Sequence, residues 1–204
     1  MTLKVYLAAE GMNELGDWCH TPPYRKAGGA IGVLEALLGR IAPEGWRIED
    51  AICWKDLRHV AIDRREKADA MNVRRAALKA AEAGCDILVF CRDRDGEPTR
   101  GSEIEEAIAV CGTDWPELRL VGGVAVEKLE AWLLAMHADR RAESRQDPAS
   151  ALGRKKGLST SKGHVTTTEM VEIVLRSDLT EAAARSTSLA LWLRRARAAF
   201  TPSA

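Results

Sequence analysis

Short apolar runs alternate with longer segments of helical periodicity along most of the chain. Lys4–Ala9 is a β-type run that ends at Glu10-Gly11, and Asp86–Cys91 is an unbroken apolar run too short for a helix. Similar runs predict strands over Ile48–Trp54 and Leu118–Val126. Apolar residues at helical spacing predict helices over Ala30–Ile41, Ala68–Ala83, Ser102–Cys111, Glu127–Met136, Thr168–Leu175 and Ser186–Phe200. Strands that alternate with helices predict an α/β fold with a mostly parallel sheet and helices on both faces.

The length of 204 residues favours a single compact domain. We predict an α/β core over residues 1–150. After Ala138 the sequence is polar and rich in Gly, Ser and Lys until the helix predicted at Thr168, and this stretch predicts a loop. Residues 151–204 are therefore expected to form a basic loop and a small helical C-terminal extension that packs on the same domain.

Thirty basic and thirty acidic side chains cancel, but they are distributed unevenly along the chain. Residues 101–150 contain 5 Lys or Arg and 10 Asp or Glu, whereas residues 151–204 contain 9 and 4. This gradient permits an acidic, cation-binding site flanked by a surface that attracts phosphate. Two ordinary solvated helical faces would explain the same charges equally well.

Composition narrows the class of protein. Hydrophobic residues make up 46% and charged residues 29% of the sequence, and no apolar run approaches the length of a membrane span. The N-terminal residues lack the pattern of a signal peptide, so we expect a cytoplasmic protein without membrane association. Five cysteines without a C-x-x-C pair predict buried reduced thiols, and the scattered histidines exclude a zinc finger.

Three carboxylates follow predicted strands. Glu10 comes directly after the first strand, and Asp93 and Asp95 come directly after the apolar run that ends at Cys91. Ligands of open parallel sheets bind outside the carboxyl ends of the strands. An Asp-x-Asp pair there is expected to point both carboxylates to the same side and to bind a divalent cation such as Mg²⁺ or Mn²⁺. The alternative is an ordinary surface turn, because Asp and Gly are common turn residues.

These residues carry a resemblance to a known family. The strand followed by Glu10-Gly11-x-Asn13-Glu14, and the later strand followed by Asp93-x-Asp95-Gly96, resemble the Toprim domain of topoisomerases, bacterial primases and OLD nucleases. The variant most similar to this chain is the Glu-Gly-x-Thr-Glu form of the OLD-type nucleases, whose threonine is replaced here by Asn13.

A second stretch extends the resemblance to about residues 3–150. Glu127-Lys-Leu-Glu130-Ala-Trp132-Leu-Leu resembles a segment of small, uncharacterised Toprim-like bacterial proteins that are associated with mobile-element and phage-defence genes. Asp147-Pro148 fits the same pattern. The chain has no room for the tyrosine-bearing companion domain of a topoisomerase.

The resemblance implies a Toprim-like, Rossmann-like fold and metal-dependent phosphodiester chemistry. It implies Glu10 as a general acid/base or metal ligand, Asp93 and Asp95 as ligands of Mg²⁺ or Mn²⁺, and Glu14 and Glu130 as candidates for a second ion. The OLD-type pattern also uses a downstream lysine to neutralise phosphate. Lys155 is the candidate for that role, although Lys156 and Lys162 lie in the same segment and a solvated loop explains all three equally well.

We therefore expect a metal-dependent nuclease, with DNA favoured over RNA as the substrate. Because OLD-type relatives carry an ATPase domain that this chain lacks, a separate ATPase is the expected partner protein, and a homodimer stays open. Two alternatives remain: a non-catalytic, metal-binding regulatory subunit that acts with a partner, and a phosphoesterase or nucleotidyl transferase that acts on small nucleotides.

Overall fold

Short aliphatic runs form a parallel sheet at the centre of the molecule. The computed structural model describes residues 2–18, 25, 28–62, 67–155 and 165–201. Its strands are β1 (Leu3–Ala9), β2 (Trp46–Cys53), β3 (Ile87–Phe90), β4 (Arg92–Asp93), β5 (Arg119–Val121) and β6 (Val124–Ala125). The main sheet has the order β2-β1-β3-β5 with every pair parallel, and β4 pairs with β6 in a small second parallel sheet. The predicted α/β class with a mostly parallel sheet is confirmed.

Helices cover both faces of the main sheet. They are α1 (Met12–Leu15), α2 (Val33–Ile41), α3 (Ala68–Glu82), α4 (Arg100–Asp114), α5 (Leu129–Met136), α6 (Pro148–Lys155), α7 (Thr167–Arg176), α8 (Leu179–Ala183) and α9 (Thr187–Phe200). Successive strand residues point to opposite faces. Val5 and Leu7 of β1 thus join the core formed with α2, α5, α7 and α9, whereas Tyr6 and Ala8 join the core formed with α3 and α4. Burial on both faces explains why Val5–Ala9 of β1 and all of β3 are apolar.

The predicted strand over Leu118–Val126 is in fact two strands in different sheets. Gly122 and Gly123 separate β5 from β6, and the ring of Phe90 occupies the space where a Cβ of Gly122 would lie. The indole nitrogen of Trp192 donates a hydrogen bond of 3.0 Å to the carbonyl oxygen of Phe90. This hydrogen bond ties the end of β3 to α9, and the chain then leaves the main sheet and pairs again through β4.

Short helices account for most of the other differences from the predicted elements. The segment predicted as a loop after Ala138 contains α6, while residues 156–164 lie outside the described part of the chain. Helices α1 and α8 have only 4 and 5 residues, too few to form without tertiary contacts. Helix α5 begins at Leu129 because Glu127 has a positive φ of 63° and ends the preceding turn. Helix α4 begins at Arg100, two residues before its predicted start at Ser102.

The C-terminal helices share the core of the α/β unit. Trp192 of α9 packs against Trp132 of α5 with ring centroids 5.8 Å apart, and both side chains are fully buried. The indole nitrogen of Trp132 donates to Ser188 Oγ at 2.8 Å. The described part of residues 151–204 therefore packs directly on the core formed by residues 1–150.

Two expectations from composition can be compared with the structure. Cys53, Cys85, Cys91 and Cys111 are buried and form no disulfide within the described residues, as predicted, and Cys19 lies outside these residues. Among the described residues, no helix combines the length and apolar character needed to cross a membrane.

The contact between Gly122 and Phe90 gives a stability prediction. We expect Gly122→Ala to lower the free energy of unfolding by about 1–3 kcal/mol, because the added methyl group overlaps a fully buried ring. Gly112→Ala is the matched control: it lies in α4 with open space around its Cβ position, so it should be neutral or stabilise by up to about 1 kcal/mol. Urea unfolding of the two variants measures both values, and equal stability of both would contradict the prediction.

Candidate functional site

Glu10 and Asp93 meet where β1 and β3 end side by side. Ala8 of β1 is paired with Phe90 of β3, so the residues that follow both strands emerge at one edge of the sheet. Glu10 Oε1 accepts a hydrogen bond of 2.9 Å from the backbone nitrogen of Asp93. Asp93 Oδ1 in turn accepts one of 2.8 Å from the backbone nitrogen of Leu129, the first residue of α5. Two carboxylates thus join three segments that are distant in sequence.

Helix α1 places Glu14 at the same edge. The Glu14 side chain reaches back, and its Oε2 accepts a hydrogen bond of 3.0 Å from the backbone nitrogen of Gly11 at the start of the helix. Gly32 packs so closely against the backbone of Glu14 that a Cβ would overlap it. This close approach brings the start of α2 over α1 and leaves Glu14 only 8% exposed.

An open cavity of about 340 Å³ contains these carboxylates. Its lining consists of Glu10, Gly11, Met12, Asn13, Glu14, Asp93, Lys128 and Glu130. Glu14, Asp93 and Glu130 come from α1, β4 and α5 and form no ion pair with any residue that the structure describes. Lys128 is the basic residue of the lining, and it too has no ion-pair partner there. The cavity therefore concentrates negative charge that the described part of the protein leaves largely unbalanced.

The pKa values of the buried carboxylates reflect this imbalance. Burial, with a further contribution from Glu130, raises the pKa of Glu14 to about 7. Burial and the negative neighbours Glu14, Glu130 and Asp95 raise the pKa of Asp93 to about 7. Burial, reinforced by Asp93 and Glu14, also holds the pKa of the Cys91 thiol well above its usual range, which argues against a nucleophilic thiolate.

A second group of carboxylates at the same edge is paired with arginine. We call Glu10, Asp69, Arg92, Asp95 and Arg100 the arginine network. Arg92 Nη1 contacts Glu10 Oε1, and Arg92 Nε lies 3.3 Å from Asp69 Oδ1. Arg100 Nε donates to Asp69 Oδ2 at 2.7 Å, and both guanidinium groups approach Asp95 Oδ2, at 3.5 and 3.4 Å. Glu10 belongs to this network and also lines the cavity.

The two aspartates of the Asp-x-Asp pair therefore face different partners. The sequence predicts that both point to one side of the loop, as alternate residues of a strand would. In the structure β4 ends at Asp93, and Asp95 adopts a left-handed conformation with a φ of 50°. Asp93 lines the cavity, whereas Asp95 lies outside its lining and contacts Arg92 and Arg100.

The predicted lysine lies away from the cavity lining. Lys155 ends α6, and its Nζ donates to the carbonyl oxygen of His137 at 3.1 Å and lies 3.8 Å from Asp139 Oδ2. Lys156 and Lys162 are outside the described residues. Sequence reasoning missed Lys128 in the cavity. It also missed Arg92, although that residue directly precedes the Asp-x-Asp pair.

The carboxylates do not form a ready-made metal site. Within residues 2–18, 25, 28–62, 67–155 and 165–201, no three His, Cys, Asp or Glu side chains are arranged closely enough to hold an ion as they stand. The chemistry of the donors is nevertheless suitable for a hard cation. The free atoms are carboxylate oxygens from Glu14, Asp93 and Glu130, the ligand type that Mg²⁺ and Mn²⁺ prefer.

The raised pKa values predict how stability depends on pH. Glu14 and Asp93 stay protonated in the folded protein from their ordinary pKa values of 4.5 and 3.8 up to about 7, whereas the unfolded chain releases these protons. The metal-free protein should therefore lose stability as pH rises through this window. We expect Glu14→Gln to stabilise it by about 1–3 kcal/mol at pH 8 and to have little effect at pH 4.

Urea unfolding in the presence of a chelator measures this difference. Glu117→Gln serves as the control, because Glu117 is exposed and outside the cavity, and it should change stability by less than about 0.5 kcal/mol at both pH values. A gain from Glu14→Gln that is equally large at pH 4 and pH 8 would show that its origin is not the carboxylate charge.

Comparison with known proteins adds no relative to these observations. No family model, no curated protein and no solved structure matches the chain.

Proposed function

We propose that the protein is a divalent-metal-dependent nuclease that hydrolyses phosphodiester bonds at the cavity formed by β1, β4, α1 and α5. The observation that carries this proposal is the convergence of Glu14, Asp93 and Glu130 from three elements without a compensating cation among the described residues. Burying carboxylates near each other is costly unless a cation joins them. A site that keeps three of them at the carboxyl edge of a parallel sheet is suited to a metal ion.

Glu14, Asp93 and Glu130 are the residues that would hold Mg²⁺ or Mn²⁺. Asp93 Oδ2 and both carboxylate oxygens of Glu130 accept no hydrogen bond within the described part of the chain, and Glu14 Oε1 accepts none from another residue there, so these oxygens are available to bind an ion. The remaining oxygens of Glu14 and Asp93 hold backbone N–H groups and fix the positions of the two side chains. When bound, the ion would supply Lewis-acid polarisation of the phosphodiester.

Glu10 and Lys128 complete the proposed site. Glu10 Oε1 is occupied by the backbone nitrogen of Asp93 and by Arg92, which leaves Oε2 to accept a proton or hydrogen bond from the attacking water. Lys128 lies in the lining and has no ion-pair partner among the described residues, so its ammonium group would contact a substrate phosphate. We assign this contact to Lys128 rather than Lys155, because Lys155 already contacts His137 and Asp139.

The order of Glu10, Glu14, Asp93 and Asp95 around a parallel sheet supports a Toprim-like core, and on that basis DNA is the proposed substrate. The cavity is open to solvent. An open cavity can admit a polymer, whereas a closed pocket would suit a small nucleotide. A separate ATPase is the proposed partner. The buried free thiols support a reducing, cytoplasmic setting.

Calorimetric titration of metal-stripped protein with Mn²⁺, followed by plasmid cleavage on the same samples, tests the proposal. We expect Asp93→Asn and Glu130→Gln each to weaken Mn²⁺ binding by about 10-fold or more and to abolish cleavage, because each removes a charged ligand. Asp95→Asn is the matched control. It removes a carboxylate of the same loop that contacts arginines instead, and it should weaken binding by less than about 3-fold.

The other outcomes separate the competing functions. Binding without cleavage of any nucleic acid would favour the regulatory subunit, and turnover of small nucleotides alone would favour a phosphoesterase. Absence of Mn²⁺ binding by the wild-type protein would overturn the proposed function.

A further inference from the structure

The arginine network occupies the place where a second metal ion would be expected. Chemistry of this kind commonly uses two ions, each held by carboxylates. The site has five carboxylates, which would be enough to hold two ions: Glu10, Glu14, Asp93, Asp95 and Glu130. We infer that this protein binds one divalent ion, at Glu14, Asp93 and Glu130, and that the Arg92 guanidinium provides the second positive charge. The inference rests on the proposed function.

Arg92 is held as a fixed cation. Its side chain is only 15% exposed, and its guanidinium lies 6.0 Å from the centre of the Trp54 ring. It contacts Glu10 Oε1 through Nη1, Asp69 Oδ1 through Nε at 3.3 Å, and Asp95 Oδ2 through Nη1 at 3.5 Å. A guanidinium in contact with three carboxylates keeps its charge. Moving it away would leave Glu10 without an ion-pair partner among the described residues, since Asp69 and Asp95 also contact Arg100.

Arg100 closes the network from the other side. Its Nη1 donates to the carbonyl oxygens of Asp93 and Arg94, at 2.8 and 2.6 Å, and its Nε donates to Asp69 Oδ2 at 2.7 Å. The two arginines therefore balance two of the three negative charges of Glu10, Asp69 and Asp95. An ion that entered here would have to displace a buried guanidinium from at least one carboxylate.

Glu10 connects the fixed charge to the cavity. This side chain contacts Arg92 and also lines the cavity with Glu14, Asp93 and Glu130. The carboxylate of Glu10 thus lies between the positive charge of Arg92 and the proposed ion. In a site with two ions, a carboxylate would lie between two positive charges in the same way. Arg92 acts here as a positioning residue, because it is Glu10 that reaches the cavity.

Titration with Mn²⁺, followed by the EPR signal of the free ion, counts the bound ions per chain. We expect one ion in the wild-type protein and two in Arg92→Met, because the variant removes the guanidinium partner of Glu10, leaves Asp95 with Arg100 alone, and keeps an apolar stem against Trp54. Arg92→Lys is the matched control. It retains a positive charge at the same place and should bind one ion. Pulsed EPR should show Mn–Mn dipolar coupling in Arg92→Met only.

The outcomes distinguish this inference from the proposed function. Two ions in the wild-type protein would overturn the inference and leave the nuclease proposal standing, and this measurement needs no variant to fold. One ion in both wild type and a folded Arg92→Met would show that the guanidinium does not exclude the second ion, which also overturns the inference. No bound ion in the wild-type protein would overturn the proposed function itself.

Discussion

The carboxylate of Glu10 holds together the edge of the molecule on which the candidate site depends. Its Oε1 accepts the backbone N–H of Asp93 and contacts the guanidinium of Arg92, at the point where the chain has left the main sheet after β3. Asp93 then fixes the first residue of α5 through Leu129. This junction ties β4 to the end of β1 and, through Asp93, to the start of α5 next to Glu130.

Electrostatic compensation divides this edge into two parts with different roles. The arginine network balances most of its negative charge and contains side chains that are already engaged. The cavity keeps Glu14, Asp93 and Glu130 without a cationic partner in the described structure, and burial raises the pKa of the first two to about 7. Such a concentration of like charge costs stability in the absence of a ligand, and proteins tolerate this cost mainly where a ligand offsets it.

Particular residues show how far the sequence predicts the fold and the site. The strand and helix segments with clear periodicity were predicted to within a few residues, because burial on the two faces of β1 and β3 follows directly from their composition. Glu10, Glu14, Asp93 and Glu130 were singled out from their motifs, and the structure brings them into one cavity. Helices α1, α6 and α8 were missed, because elements of 4–8 residues carry little periodicity and depend on tertiary packing.

The sequence by itself determined which carboxylates follow the central strands and which segments are apolar enough to form the sheet. Only the tertiary structure decided what each carboxylate faces. Asp95 has a left-handed backbone conformation just after β4 ends at Asp93, and its side chain contacts Arg92 and Arg100. The backbone N–H of Asp95 donates to the carbonyl oxygen of Glu127, which is also left-handed. Arg92 takes its orientation from Asp69, which lies 23 residues earlier on α3. The direction of a side chain at such a junction depends on partners from distant segments, and a local sequence pattern does not predict those partners.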